Sequence, residues 1–272
     1  MNVLNETKFI MDKYDIHPNK NLGQNFLIDE NSLQTIAKDV TKTDTIIEIG
    51  PGLGTLTSIM LEKAKEVIAI ELDKKMCKIL EDRFKLYNNF KLINDDVLKV
   101  NIANLANKPK VVANLPYYIT TSVITKLIKE DIADITVLIQ KEVADRISAK
   151  PGEKNAGAIT YFVNYYADTE ILGTVSKECF IPSPKVESEI LRIKKLPEKR
   201  VKVENETLFF ELIRENFTKR RKNILNSISG VIEKEKLEKI LEKLKINPNV
   251  RGENLSLQDF ANIANEANKE WK

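Results

Sequence analysis

Ile46-Ile47-Glu48-Ile49-Gly50-Pro51-Gly52-Leu53-Gly54-Thr55 is the stretch that decides how the rest of the chain is read. A short β-branched run ends in three closely spaced glycines, and residues 55–63 then continue with helical spacing. Strand, glycine turn and helix start form the context that a nucleotide-binding loop requires. Glycine lets the backbone pass close to a ligand where a Cβ would collide. A dinucleotide fingerprint, G-x-G-x-x-G, would put its third glycine at position 55. Here that glycine is Gly54, and an acid, Glu48, precedes the turn.

Working outward, β-rich runs at 45–49, 66–71, 90–94, 110–114 and 135–140 alternate with amphipathic stretches near 55–63, 74–84 and 121–129. That rhythm predicts a parallel, doubly wound sheet with right-handed crossovers. Two later strand-like runs, 169–175 and 187–194, follow one another with no helical pattern between and predict an antiparallel edge. Phe180-Ile181-Pro182-Ser183-Pro184 between them reads as a rigid two-proline loop. Beyond Leu196-Pro197-Glu198-Lys199-Arg200 the pattern is helical, at 208–217, 222–228, 234–244 and 257–267. The expected organisation is an α/β domain over 1–197 and a small all-α domain over 198–272.

Glu71 closes the strand after the glycine turn, where an acid accepts hydrogen bonds from ribose hydroxyls. Asp96, after the following strand, falls where the adenine of a cofactor would lie. Its neighbour Asp95 leaves that position open to a shift of one residue. Acids at strand ends also cap helices, but two of them behind a glycine turn point to a nucleotide-type cofactor.

Composition removes other chemistries. The 272 residues hold two cysteines, Cys77 and Cys179, and one histidine, His17. These cannot supply a disulfide framework, a zinc site or a Ser-His-Asp triad, so no metal is expected. The longest apolar runs are far short of the ~20 residues that span a bilayer. The amphipathic start of the chain is no signal peptide, and the expectation is a cytoplasmic protein. The formal charge is +3. Residues 196–272 carry 16 basic against 13 acidic side chains, leaving 27 of each sign before them. The excess hints weakly at a polyanion. Lys219-Arg220-Arg221-Lys222 is its densest cluster and suits phosphate contacts. Trp271 carries no readable role.

Asn114-Leu115-Pro116-Tyr117 falls at the end of the fourth strand, on the edge where open α/β sheets bind ligands. It resembles the (D/N/S)-P-P-(Y/F) motif of methyltransferases that act on ring-conjugated amino groups, as the glycine turn resembles motif I of S-adenosylmethionine-dependent methyltransferases. The N6 lone pair of adenine is delocalised into the ring and is a poor nucleophile. Two acceptors, the Asn114 side-chain oxygen and the Leu115 carbonyl, hold both N–H bonds and stabilise the charge developing on nitrogen. Tyr117 offers a ring face for the unstacked base. No general base is needed, because the methylated, ammonium-like nitrogen is acidic enough to give its proton to water.

Asn21-Leu22-Gly23-Gln24-Asn25-Phe26-Leu27, then E-I-G-P-G, I-E-L-D, N-L-P-Y and F-x-P-x-P-x-V-x-S from Phe180 to Ser188 occur in the order of the ribosomal RNA adenine N6-dimethyltransferases of the KsgA type, which this chain resembles over nearly its whole length. The resemblance implies a Rossmann-like class I methyltransferase with a mostly parallel seven-stranded sheet, an antiparallel edge and a helical C-terminal domain. It implies dimethylation of two adjacent adenosines in the 3′-terminal hairpin loop of small-subunit rRNA, on a pre-30S particle, by a monomer using S-adenosylmethionine. Carried over by position, Asn25, Leu27, Gly50, Glu71, Asp96 and Asn114 would bind the cofactor. Tyr117 and Phe180 would sandwich the target base, and the cluster at 219–222 would meet RNA phosphates. Tyr118 and Thr120-Thr121 stand where many relatives have Asn and Ser-Thr. Two rivals share these features: the Erm family, which methylates a large-subunit adenosine, and a non-catalytic RNA-binding assembly factor. The L-G-Q-N-F-L segment and long helical tail disfavour the first, and intact Asn114 and Tyr117 the second.

Overall fold

The computed structural model describes residues 2–19 and 23–269, so Asn21, Leu22 and Trp271 lie outside the described residues. In chain order the elements are α1 (Val3–Lys13), β1 (Phe26–Leu27), α2 (Glu30–Ile36), β2 (Thr45–Ile49), α3 (Thr55–Lys63), β3 (Glu66–Glu71), α4 (Lys74–Phe84), β4 (Phe90–Asn94), β5 (Lys110–Asn114), α5 (Thr120–Leu127), β6 (Asp134–Gln140), α6 (Lys141–Ser148), α7 (Ala158–Tyr166), β7 (Ala167–Val175), β8 (Phe180–Ile181), β9 (Ser188–Lys195), α8 (Glu206–Thr218), α9 (Ile224–Ser227), α10 (Lys234–Lys243) and α11 (Leu257–Lys269). None of the described helices is long and apolar enough to cross a membrane.

The chain forms two compact units, Met1–Ala144 with Thr169–Lys195, and Asp145–Asp168 with Leu196–Lys272. In the first, seven strands pair in the order β4-β3-β2-β5-β6-β9-β7. The pairs β2–β3, β2–β5, β3–β4 and β5–β6 are parallel, and β9 runs antiparallel to β6 with Ser188 opposite Gln140. The central strands are buried on both faces, which is why they read as unbroken Val/Ile runs. Register puts Ile49 beside Ile70, Glu71 beside Asn94 and Asn114 beside Leu138, so three chain turns leave the sheet at one edge. A second, two-stranded sheet pairs Phe26 with Ile181 and Leu27 with Phe180. The proline-rich segment, expected as a loop, therefore begins as a strand, and its partner is the segment ahead of the core.

The second unit holds more than the tail from residue 198. Asp145–Asp168 joins it because α7 shares its core: Tyr161 and Tyr165 are buried with Phe209, Leu212 and Phe260. The Tyr161 hydroxyl donates to the Leu255 carbonyl at 2.5 Å, and its ring meets that of Phe260 edge-on, centroids 5.5 Å apart. Ala-Ile-Thr-Tyr-Phe-Val-Asn-Tyr-Tyr has the composition of a strand, and tertiary packing makes it a helix.

Gly54 begins α3 with φ of 82°, and a Cβ built there would lie 2.6 Å from the Phe84 ring and 2.9 Å from Leu80. Both clashing side chains belong to the buried face of α4. Gly54→Ala combines a left-handed backbone with overpacking, and should lower unfolding free energy by ~2–4 kcal/mol. Gly173→Ala, with nothing within 4 Å, should stay within ~0.5 kcal/mol of wild type. Urea midpoints at constant m-value measure both. Equal midpoints for the two variants would refute this account of the turn.

Candidate active site

At the carboxyl edge of the sheet lies a cavity of about 240 Å³. Asn25, Leu27, Gly50, Glu71, Asp96 and Asn114, the six positions expected to bind a cofactor, all line it, as do Leu115 and Tyr117. Phe180 does not. It is 3% exposed and packs in the core cluster that contains Leu27 and Leu33.

Glu71 joins two of the turns. Its Oε2 accepts from the Gly52 N–H at 3.1 Å and its Oε1 from the Asp73 N–H at 2.8 Å. The carboxyl also lines the cavity. Burial raises its pKa against the opposing effect of these backbone donors. Asp73 in turn caps α4, accepting from the Lys75 N–H at 2.8 Å. Asp95 and Asp96 both line the cavity. The Asp95 Oδ1 accepts from the Asp96 N–H at 2.7 Å, and the Asp96 Oδ1 from the Leu98 N–H at 2.9 Å. Each acid thus keeps one oxygen without a backbone donor.

The segment ahead of the core forms the cavity's near wall, and its partners were not legible in sequence. The Gln24 side chain donates to Asp73 at 3.1 Å and accepts from the Asn19 N–H at 2.8 Å. The Asn25 carbonyl accepts from the Asn114 side-chain amide at 3.1 Å. That bond fixes the amide: Nδ2 faces Asn25, and Oδ1 has no partner among the described residues. The Leu115 N–H is taken by the Leu138 carbonyl at 3.1 Å, while nothing described donates to the Leu115 carbonyl. Two acceptors thus remain at the head of the tetrapeptide. Tyr117 is half-buried, and its hydroxyl pairs with that of the fully buried Ser188 at 2.7 Å. Burial raises the Tyr117 pKa, so the phenol stays neutral. Ser188 closes F-x-P-x-P-x-V-x-S, and its place in that motif was the only sequence signal for this role.

Lys219, Arg220, Arg221 and Lys222 occupy the turn between α8 and α9 in the second unit. Lys219 pairs with Glu215 at 2.5 Å and Arg220 with Glu253 at 2.6 Å. Arg221 and Lys222 are exposed, and neither is in an ion pair with a described residue.

The parallel sheet, its antiparallel strand β9 and the cavity at the carboxyl edge are those of the Rossmann-like class I methyltransferases. The chain is similar to a dimethyladenosine transferase from Plasmodium falciparum, with a TM-score of 0.79 and 26% identity, covering 90% of this chain and 98% of that one. The 23S rRNA methyltransferase ErmE shares the fold, with a TM-score of 0.70 at 21% identity over 90% of this chain and all of that one. Residues 16–269 match the model of a family described as ribosomal RNA adenine dimethylase. "Ribosomal RNA small subunit methyltransferase A" of Clostridium botulinum (strain Loch Maree / Type A3) is 49% identical over 95% of this chain and 97% of that protein. Its namesake in Clostridium acetobutylicum is 46% identical over 96% and 97%. The chain belongs to the ribosomal RNA adenine dimethylase family.

Glu48, the acid ahead of the glycine turn, is 2% exposed and accepts from the Thr57 hydroxyl at 2.5 Å. Burial, assisted by the charge of Glu71, pushes its pKa from 4.5 up to about 8. The native state therefore binds this proton more tightly than the unfolded chain. The Glu48 contribution to stability falls as pH rises from about 4.5 to about 8 and levels off above, with a limiting slope of ~1.4 kcal/mol per pH unit. Glu48→Gln keeps an acceptor for Thr57 and removes the titration. It should match wild type near pH 5 and be the more stable protein at pH 8. Parallel stability–pH curves for the two proteins, from urea unfolding, would show that Glu48 is ionised throughout.

Proposed function

We propose that this protein uses S-adenosylmethionine to dimethylate N6 of two adjacent adenosines in the 3′-terminal hairpin loop of small-subunit rRNA. It acts as a monomer in the cytoplasm, on the pre-30S particle. The single observation that carries this reading is the pair of unpartnered acceptors, Asn114 Oδ1 and the Leu115 carbonyl, at the cavity beside the half-buried ring of Tyr117. The small-subunit methyltransferases to which the chain is nearly half identical over almost its whole length support the small-subunit substrate. The Erm-type protein shares the fold alone.

The cavity fits S-adenosylmethionine: an acid with spare lone pairs stands beside a glycine turn whose backbone is open to a ligand. When bound, that cofactor supplies an electrophilic methyl group. Glu71 accepts from the ribose hydroxyls, with Gly50 giving the close backbone approach. Asp96, or its neighbour Asp95, faces the adenine. Asn25 and Leu27 wall the other side, with Asn114 between cofactor and base. Asn114 Oδ1 and the Leu115 carbonyl accept the two N6 hydrogens, which favours a pyramidal nitrogen and stabilises the positive charge it acquires. Tyr117 stacks on the base, and Ser188 holds the ring's orientation through the hydroxyl. Phe180 forms the second wall of the base site. Leu27 and its neighbours cover that ring, so base entry has to uncover it.

Asn114→Ala removes one of the two acceptors and should lower single-turnover methyl transfer ~10²–10³-fold at saturating cofactor and RNA, leaving RNA affinity nearly unchanged. Tyr117→Phe keeps the stacking face but strands the buried Ser188 hydroxyl, and should lose ~1 kcal/mol of stability with a smaller loss of rate. A near-wild-type rate for Asn114→Ala would refute the mechanism. A protein that binds RNA but transfers no methyl group would favour the assembly-factor reading.

RNA phosphates meet the turn between α8 and α9. Since Lys219 and Arg220 already serve carboxylates, Arg221 and Lys222 are the cations open to phosphate. Changing both to Gln should flatten the plot of log affinity against log salt by ~0.7–0.9 for each phosphate left unneutralised, while S-adenosylmethionine affinity holds. If the salt slope of the double variant equals that of wild type, the cluster is only a solvated surface.

A further inference from the structure

Tyr118 follows the tetrapeptide, and the mechanism above makes no use of it. Its ring lines the cavity, yet it is 58% exposed. The Cβ position of Gly23 lies 3.4 Å from Tyr118 Cδ1 and 3.6 Å from Cε1, and also 3.7 Å from the Pro116 Cβ. The ring therefore stands beside the Gly23 backbone with room for a methyl group between them, and more than half of Tyr118 is exposed to solvent. The two adjacent tyrosines differ in kind. The Tyr117 hydroxyl is tied inward to Ser188, whereas the Tyr118 hydroxyl has no hydrogen-bond partner among the described residues. A lone exposed aromatic is ordinary on most surfaces. This one stands next to the ring that receives a base.

Moving the target adenosine out of its stack leaves its neighbour in the strand with an uncovered face. We infer that Tyr118 covers that face, stacking on the nucleobase adjacent to the target adenosine, and so selects for a second base beside the methylated one. With two adjacent adenosines, the one outside the cavity occupies Tyr118 while the other reacts. The ring is sequence-tolerant in what it stacks on, because every base has a π face. Gly23 asks for glycine through its φ of 62° rather than through the ring, since a Cβ there would meet Tyr118 at ordinary van der Waals distance. The inference rests on the RNA adenine reading proposed above.

The test is a two-by-two cycle on equilibrium binding. Wild type and Tyr118→Ala are each titrated with a hairpin RNA carrying two adjacent loop adenosines, and with the same hairpin in which the neighbour of the target is abasic. On the intact hairpin, Tyr118→Ala should weaken binding by roughly 5- to 150-fold, the equivalent of one stacked base. The abasic site should weaken wild type by a similar factor and leave Tyr118→Ala almost unaffected. Tyr118→Phe should bind the intact hairpin within about twofold of wild type, since only the ring is needed. Affinity for S-adenosylmethionine should be the same in all three proteins. If the abasic site weakens wild type and Tyr118→Ala by the same factor, the two groups do not meet and the inference fails. Loss of cofactor affinity in Tyr118→Ala, with RNA affinity intact, would instead assign the ring to the cofactor and overturn it too. N6 methyl transfer by wild type to the intact hairpin reports separately on the functional reading, whatever the cycle gives.

Discussion

The Glu71 carboxylate holds the site in shape. One oxygen takes the Gly52 N–H from the glycine turn, and the other takes the Asp73 N–H at the start of α4. Asp73 receives the Gln24 side chain, which brings in the segment ahead of the core. The Asn25 carbonyl from that segment then fixes the Asn114 amide. A short path of hydrogen bonds thus links the Glu71 carboxylate to the Asn114 amide. Buried polar groups in such a path are costly when unpaired. Glu71 is the buried member of the path, so its two backbone donors carry most of that cost, while Gln24, Asn25, Asp73 and Asn114 are only half-buried.

The same economy explains why so little of the chemistry calls for titratable side chains. Burial raises the pKa of both Glu48 and Tyr117, and the acceptors proposed to meet the base are an amide oxygen and a carbonyl. Methyl transfer to an aromatic amine needs placement and charge stabilisation. Under the proposed mechanism both come from fixed dipoles that do not change protonation over the physiological range.

Much of this was legible in the sequence because the central strands are buried on both faces. Residues 45–49, 66–71, 90–94 and 110–114 read as strands with the bounds they have, since a run such as Glu66-Val67-Ile68-Ala69-Ile70-Glu71 leaves no competing period. Of the positions expected to bind a cofactor, Glu71, Asp96 and Asn114 were read at or just after strand ends, which register fixes to a common edge, whereas Asn25 and Leu27 came only from the family resemblance. What could not be read depended on distant partners. The helix at 158–166 is composed like a strand and owes its form to Phe209 and Phe260, about 50 and 100 residues away. Pairing of Leu27 with Phe180 joins two segments whose local patterns say only turn and proline loop. The Tyr117–Ser188 hydrogen bond, across 71 positions, has no local signature either.

The sheet order has a consequence for synthesis. Every described residue lining the cavity lies between positions 23 and 119, whereas the serine that pairs with the Tyr117 hydroxyl waits until 188. The outermost strand, β7, precedes β9 in the chain yet lies beyond it in the sheet. On the ribosome, the edge of β6 therefore stays unpaired until β9 has emerged, and β7 has nothing to join before then. The lining of the pocket is translated first, and the support behind Tyr117 is completed only after most of the chain has been made. A nascent chain at that midpoint has every described residue that lines the cavity but not yet the serine that holds the Tyr117 hydroxyl.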